Sequence, residues 1–202
     1  FGLPTSESHA LVSGLAGAGL ATAGPAALLW SGWEKVLIGL LFSTFLGFLG
    51  GLSIIMLVNK LFWNSTPGRV RNLFGRLQLL SAAFMAFGHG SNDGQKFIGT
   101  FTLALVLGGV IPEFKVSIEV VLLCSIVMGI GTSIGGWRII KPMGMKIVRL
   151  EPYQGFSAET GAALVIQFAS VFGIPLSTTH TISTAIMGSG AAKRLSAIRW
   201  GV

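Results

Sequence analysis

The sequence predicts an all-α polytopic membrane protein with inverted-topology repeats, re-entrant helical hairpins and one broken transmembrane helix. Three observations lead to this prediction. Hydrophobic residues make up 51% of the 202 and charged residues only 10%, too few charges to coat a soluble domain. Apolar runs long enough to cross a bilayer alternate with short basic loops. A motif of Gly, Pro, Ser and His occurs twice with the same spacing.

The first repeat is predicted to span residues 1–58. It contains the second arm of a hairpin, which begins in the motif Phe1–Leu11, and then a transmembrane helix from Lys35 to Val58. At ~1.5 Å per residue, this helix can cross a hydrocarbon core of ~30 Å. The chain opens without Met and without a signal-peptide pattern. We therefore expect a missing N-terminal half, or a partner chain, to supply the hairpin's first arm.

Basic residues predict the orientation of the loops. Residues 59–76 should form a cytoplasmic loop, since they carry four cations: Lys60, Arg69, Arg71 and Arg76. A second cytoplasmic loop is predicted from Arg138, Lys141, Lys146 and Arg149. The segment 111–117 between them carries one acid and one base, and is predicted to be external.

The second repeat is predicted to span residues 77–202. It begins with a helix over 77–110 that breaks at the polar cluster Gly88–Lys96, because glycines flank that cluster. A transmembrane helix follows over 118–136. Two short arms, 157–172 and 181–192, are separated by Gly173-Ile174-Pro175, and both flanks are basic, the later one with Lys193, Arg194 and Arg199. Two such arms predict a re-entrant hairpin whose tip lies inside the membrane.

The polar cluster of the predicted break contains Asp93. A carboxylate at mid-depth costs roughly 3 kcal/mol and needs a partner or a cavity. Asp93 is interpreted as a site for a coupling cation or proton, with the amides of Asn92 and Gln95 beside it. Alternatively, Asp93 caps the second half of the helix while Lys96 neutralises it.

Each copy of the repeated motif has a hydroxyl-rich tip that opens a helical arm. The two tips are Ser6-Glu7-Ser8-His9 and Ser177-Thr178-Thr179-His180. A helix N-terminus offers free N–H groups and partial positive charge, which suit an anion such as phosphate. Simple N-capping is the alternative. His9 and His180 are expected to support the tips by hydrogen bonding, and Glu159 and Gln167 to face a cation site or the partner arm.

Several function classes are disfavoured. The net charge of +7 suits a nucleic-acid binder, but the basic residues sit in short loops, which indicates the lipid bilayer instead. Cys124 is the only cysteine, so cysteines form no metal site. An intramembrane serine hydrolase is weighed because Ser, His and Asp all occur at mid-depth. Adjacent hydroxyls in a duplicated motif fit a binding cradle better than a nucleophile, so no enzyme is predicted.

At these motifs the chain resembles the inorganic phosphate transporter (PiT) family of sodium- or proton-coupled carriers. The matching residues are Gly90–Lys96 and the two tips, and the resemblance runs from Phe1 to Val202. It implies secondary active transport of phosphate. Sulfate stays open as an alternative cargo, because hydroxyls and helix ends separate tetrahedral anions poorly, and so does a metal–phosphate complex. The resemblance also implies that phosphate and its cations are surrounded by Asn92, Asp93, Ser177, Thr178, Thr179, Ser6 and Ser8.

Two departures from the family pattern stand out. This chain has one Asn-Asp motif where the family has two, and its first tip carries Glu7 where the second has Thr178. The remaining expectations are a multi-pass protein of the plasma or inner membrane, with a possible homo-oligomeric assembly. No cofactor is expected besides the coupling ion, and no metal besides a possible sodium ion.

Overall fold

The computed structural model describes residues 5–136 and 150–193, and every regular element in these ranges is a helix. The α-helices in order are α1 Glu7–Ala23, α2 Trp30–Leu61, α3 Pro67–Leu107, α4 Ile118–Gly135, α5 Pro152–Val171 and α6 Thr178–Ala191. A 3₁₀ turn, Pro25–Ala27, precedes α2. The all-α prediction is confirmed for this part of the chain. Predictions on Phe1–Pro4, Arg138, Lys141, Lys146, Arg149, Arg194 and Arg199 lie outside the described residues.

Two helices are long and apolar enough to cross a membrane: α2 with 32 residues and α4 with 18. Both agree with the helices predicted over 35–58 and 118–136. On α4, apolar side chains such as Ile126 (58% exposed) and Ile134 (79% exposed) project from the protein. An apolar exposed face of this kind is typical of a helix in contact with lipid.

The predicted break in the polar helix is wrong. Helix α3 runs without interruption from Pro67 to Leu107, and none of its glycines has a positive φ. The break was expected to supply partners for buried polar groups at mid-depth. Side chains on α1 and α6, and the backbone before α6, supply those partners instead, so the backbone of α3 keeps its own hydrogen bonds.

The predicted loop 59–76 is also corrected. Only the turn between Leu61 and Pro67 is non-helical, because Pro67 occupies the first helical position and its fixed φ favours starting a helix there. Three of the predicted loop cations, Arg69, Arg71 and Arg76, therefore lie on α3. With 41 residues, α3 is about 60 Å long at ~1.5 Å per residue. It is about twice as long as a hydrocarbon core is thick.

Small residues allow α2 to pack closely against α5 and α6. Every fourth residue of its inner face is buried: Gly39, Ser43, Gly47, Gly51 and Ile55. A Cβ added to Gly51 would overlap the backbone of Ala185, and one added to Gly188 would overlap the backbone of Phe48. Close backbone approach through small residues is how helices associate in lipid.

Helices α5 and α6 form a pair joined by a short link over 172–177. Gly173 adopts a positive φ of 64° there, and the Ile174 amide donates to the Ala169 carbonyl at 2.9 Å. This left-handed glycine ends α5 and reverses the chain. Gly39 of α2 lies directly against the Pro175 carbonyl, since a Cβ at Gly39 would overlap it. The link is therefore held against α2.

Candidate anion and cation site

The two repeated tips meet each other at the helix N-termini. Ser6 caps α1 by accepting from the His9 amide at 3.3 Å, and Ser177 caps α6 by accepting from the His180 amide at 3.2 Å. The Ser177 hydroxyl donates to the Ser6 hydroxyl at 2.9 Å, and the two imidazole rings lie 5.1 Å apart. The positive ends of two helix dipoles are thus directed at one place.

Asp93 lies where the two tips meet α3, and it is 1% exposed. Its Oδ1 accepts from Lys96 Nζ at 2.8 Å, Ser8 Oγ at 3.2 Å and Asn92 Nδ2 at 3.4 Å. Its Oδ2 accepts from Thr178 Oγ1 at 2.6 Å and pairs with His89 Nε2 at 2.9 Å. Ser8 belongs to the first tip and Thr178 to the second, so this carboxylate joins both tips to α3.

The backbone carbonyl of Leu176 forms a second acceptor beside Asp93. Lys96 Nζ donates to it at 2.8 Å, Asn92 Nδ2 at 3.3 Å and Ser8 Oγ at 3.4 Å. The carbonyl is available because the link 172–177 is not helical. It therefore serves as an acceptor in the site although its residue type carries no polar side chain.

Glu7, His89 and Asp93 form a group that can ligate a cation. One ligand atom from each lies within 4.8 Å of the others. Glu7 is exposed, whereas Asp93 is buried. Two carboxylates with an imidazole are suitable ligands for a divalent metal.

The predicted coupling-cation residues are divided between separate places. Asn92 and Asp93 are together, but Glu159 accepts from Ser81 at 2.5 Å and from Gln78 at 3.5 Å. Ser81 precedes Asp93 by twelve residues, which is about 18 Å along α3 at ~1.5 Å per residue. One ion cannot contact both carboxylates in this arrangement.

The remaining predicted residues lie around these two centres. Gln167 packs beside Gly88 of α3, and its Nε2 is buried without a hydrogen-bond partner among the described residues, as is His180 Nδ1. Gln95 is exposed and lines a groove between α3 and α4, away from Asp93. The Thr179 hydroxyl donates to the Thr5 carbonyl at 3.3 Å.

Sequence reasoning missed several groups. His89 is four residues before Asp93 on the same helix face, and that spacing could have revealed it. Gln78 and Ser81 reach Glu159 from about 80 positions earlier in the chain, and no local pattern marks such a pairing. The Leu176 carbonyl has no sequence signal at all.

Comparison with known proteins gives consistent results. The model of a family described as the phosphate transporter family matches residues 1–69 and 63–202. A probable low-affinity inorganic phosphate transporter of Rhizobium meliloti is 46% identical over 203 residues, and one of Bacillus subtilis is 38% identical over 202. Each alignment covers 100% of this chain and 61% of the relative. The chain thus spans less than two thirds of the length of these relatives.

A solved structure has the same fold. A protein described as the sodium-dependent phosphate transporter aligns with a TM-score of 0.85 at 22% sequence identity. The alignment covers 99% of this chain and 67% of that one. At this identity the likeness concerns the fold alone.

Proposed function

The chain belongs to the phosphate transporter family, and we propose that the protein moves inorganic phosphate across a membrane as a secondary active transporter. The chain is a membrane protein, with two helices apolar enough to cross the bilayer. Its relatives are named as transporters, and it is not an enzyme. The serine hydrolase alternative is therefore set aside.

The observation that carries the proposal is the convergence of two capped helix N-termini on one buried carboxylate. The free N–H groups of α1 and α6 and the Ser6 hydroxyl, which accepts but does not donate among the described residues, offer donors that suit a phosphate oxyanion. The hydroxyls of Ser8, Ser177, Thr178 and Thr179 donate within the protein and would turn toward phosphate when it binds. None of these hydroxyls adds a full positive charge, so phosphate can also leave. Asn92 adds an amide that can turn toward the ligand.

The proposed membrane arrangement keeps the inverted repeats. Helices α5 and α6 are the two arms of a re-entrant hairpin, and α1 is the second arm of an equivalent hairpin. The first repeat occupies residues 1–58 and the second 77–202, joined through a basic cytoplasmic connection over 59–76. The meeting of the two tips supports this arrangement, since related hairpins approaching from opposite sides would touch there. Further protein segments, or a second copy of the chain, would complete the site.

A sodium ion or a proton is proposed as the coupling ion. Asp93 with Asn92 forms one candidate site, and Glu159 forms a second. Gln167 follows Glu159 by eight residues on the same helix, about 12 Å at ~1.5 Å per residue, and is therefore a separate candidate ligand. The structural neighbour is described as the sodium-dependent phosphate transporter, which makes sodium the expected coupling ion of that protein. Glu159 has two donors, one of them at 3.5 Å, and therefore has room for a ligand.

A second candidate cargo is a metal–phosphate complex. The group Glu7, His89 and Asp93 favours it, because a divalent ion there would also lie beside the helix N-termini. Sulfate is the other oxyanion that this donor set could accept, since hydroxyls and helix ends separate tetrahedral anions poorly.

The proposal is tested by uptake of radiolabelled phosphate into cells or proteoliposomes containing the protein. Asp93→Asn removes the charge that holds both tips. Removing one partner of a buried ion pair costs ~3–5 kcal/mol of stability, and the two tips lose their shared contact with α3, so uptake should be abolished. Glu113→Gln makes the same chemical change on an exposed loop and should leave uptake unchanged. Normal uptake by Asp93→Asn would remove Asp93 from the transport site.

Competition between anions for uptake identifies the transported cargo. Unlabelled sulfate should compete weakly with labelled phosphate, and equal competition would indicate a general oxyanion carrier. Uptake that requires Mg²⁺ or another divalent ion, and loses this requirement in Glu7→Gln, would support the metal–phosphate complex.

A further inference from the structure

Lys96 has an unusual position for a lysine beside an anion site. Its side chain is 16% exposed, and its ammonium contacts three oxygens: Asp93 Oδ1 at 2.8 Å, Ser8 Oγ at 2.7 Å and the Leu176 carbonyl at 2.8 Å. An ammonium has three N–H donors and no acceptor. All three donors are used within the protein, so Lys96 has none left for phosphate.

The three oxygens are the kind that a hard monovalent or divalent cation uses. They comprise a carboxylate, a hydroxyl and a backbone carbonyl, and they come from α3, α1 and the link before α6. Carboxylate and carbonyl oxygens are the usual ligands of hard metal ions in proteins. The oxygens around Lys96 Nζ therefore form a cation site in which the ammonium is the cation.

The charge at Asp93 explains why a cation is needed there. The carboxylate is nearly inaccessible to water, and a buried charge in a membrane protein is tolerated when it is paired. Among the described residues, Lys96 is the one whose permanent charge reaches Asp93. His89 contacts the other carboxylate oxygen and leaves the three-oxygen site to Lys96.

We propose that the Lys96 ammonium occupies the cation position beside Asp93, so that the chain carries its own tethered cation and binds no sodium ion there. This inference deepens the proposed function, because it assigns the occupant of one of the two candidate coupling sites. Sodium coupling, where present, would then use the site at Glu159. The tethered cation moves with α3 and cannot be released to either side of the membrane.

The test compares two substitutions that differ only in whether they leave space. Lys96→Ala removes the ammonium and opens the position, so a sodium ion can enter between the three oxygens. Lys96→Met removes the charge but fills the same volume with an unbranched apolar side chain. The purified full-length protein in detergent is melted in sodium chloride, potassium chloride or choline chloride at equal ionic strength.

We expect sodium to raise the Tm of Lys96→Ala by about 2–4 °C more than it raises the Tm of the wild type, since ligand binding to the folded state stabilises it. Lys96→Met should show no such gain. Lys96→Ser, which also leaves space, is measured in parallel so that the comparison does not depend on the folding of one variant. The absence of a sodium-specific gain in both small variants overturns the proposal, and so does an equal gain in Lys96→Met.

Phosphate uptake gives a second readout. In Lys96→Ala, uptake should become more dependent on external sodium than in the wild type, whereas uptake by Lys96→Met should show no such increase in sodium dependence. If the wild type takes up no phosphate under any condition, the proposed function fails. The melting comparison still decides the role of Lys96 in that case, because it requires no transport.

Discussion

The two copies of the repeated motif have the same local structure but different surroundings. Ser6 and Ser177 cap their helices with nearly the same distance, and each cap is followed three residues later by a histidine. Yet Ser177 is 1% exposed and its helix α6 packs against α2 and α5. Helix α1 has few neighbours among the described residues, and most of its residues are exposed.

This difference shows that the motif determines the N-cap, whereas the neighbouring helices determine how deeply the tip is buried. The cap needs only a serine and a free amide, and both copies have them. Burial depends on the packed helices, which the second copy has in the described chain. We infer that the second tip is the rigid half of the site, and that the first tip depends on whatever else covers α1.

The largest expected difference concerns a pair of glycines that match in the repeat. A Cβ at Gly188 would overlap the backbone of Phe48, whereas Gly17 has nothing within 4 Å. Gly188→Ala should destabilise the protein by ~1–3 kcal/mol through overpacking. Gly17→Ala should be neutral or stabilise by up to ~1 kcal/mol, because alanine favours helix. Thermal unfolding in detergent measures both, and equal destabilisation would show that α1 is also tightly covered in the complete protein.

The two N-cap serines should differ less in their contribution to stability than the two glycines do. Replacing an N-cap serine by alanine costs ~0.5–2 kcal/mol. We expect Ser177→Ala near the upper end of that range, because water cannot easily replace the buried hydroxyl. Ser6→Ala should be near the lower end, since this tip is partly exposed. The two Tm values give the comparison directly, and a larger loss in Ser6→Ala would reverse the assignment of the rigid half.

The smallest expected effect concerns the one chemical difference between the tips. Glu7→Thr makes the first tip resemble the second and removes an exposed negative charge near the anion site. The KM for phosphate should fall by about two- to fivefold, because screened surface charges have modest effects. Glu34→Thr removes an exposed carboxylate from α2 and serves as the control. A raised KM in Glu7→Thr would instead indicate that Glu7 binds a cation that accompanies phosphate.

Much of the fold could be predicted because it depends on local signals. The length of the apolar runs predicted α2 and α4. The Gly-x-Pro sequence followed by hydroxyl residues predicted where α1 and α6 begin. The continuity of α3 could not be predicted, since glycines around Asp93 are equally compatible with a break. The helix stays continuous because Ser8 and Thr178 supply hydrogen-bond partners for Asp93, and these residues lie 85 positions before and after Asp93 in the sequence.

The site was predictable as a set of residues more than as an arrangement. Asn92, Asp93, Ser8 and Thr178 carry polar side chains in apolar surroundings, and the structure brings these four together. Gln95 and Glu159 have the same signal but lie elsewhere, because the direction of a side chain on a helix depends on its tertiary neighbours. Lys96 was expected to neutralise Asp93, yet its three-oxygen site requires two further segments of the chain.

The carbonyl of Leu176 has a consequence for how this site would be mapped by mutation. It accepts hydrogen bonds from three side chains, but no substitution of Leu176 removes a backbone oxygen. The leucine side chain is itself 1% exposed, so replacing it would report on packing. Alanine scanning would therefore overlook this acceptor, and evolution could change residue 176 without losing it. Replacing the amide by an ester through chemical synthesis is the substitution that would weaken this carbonyl as an acceptor.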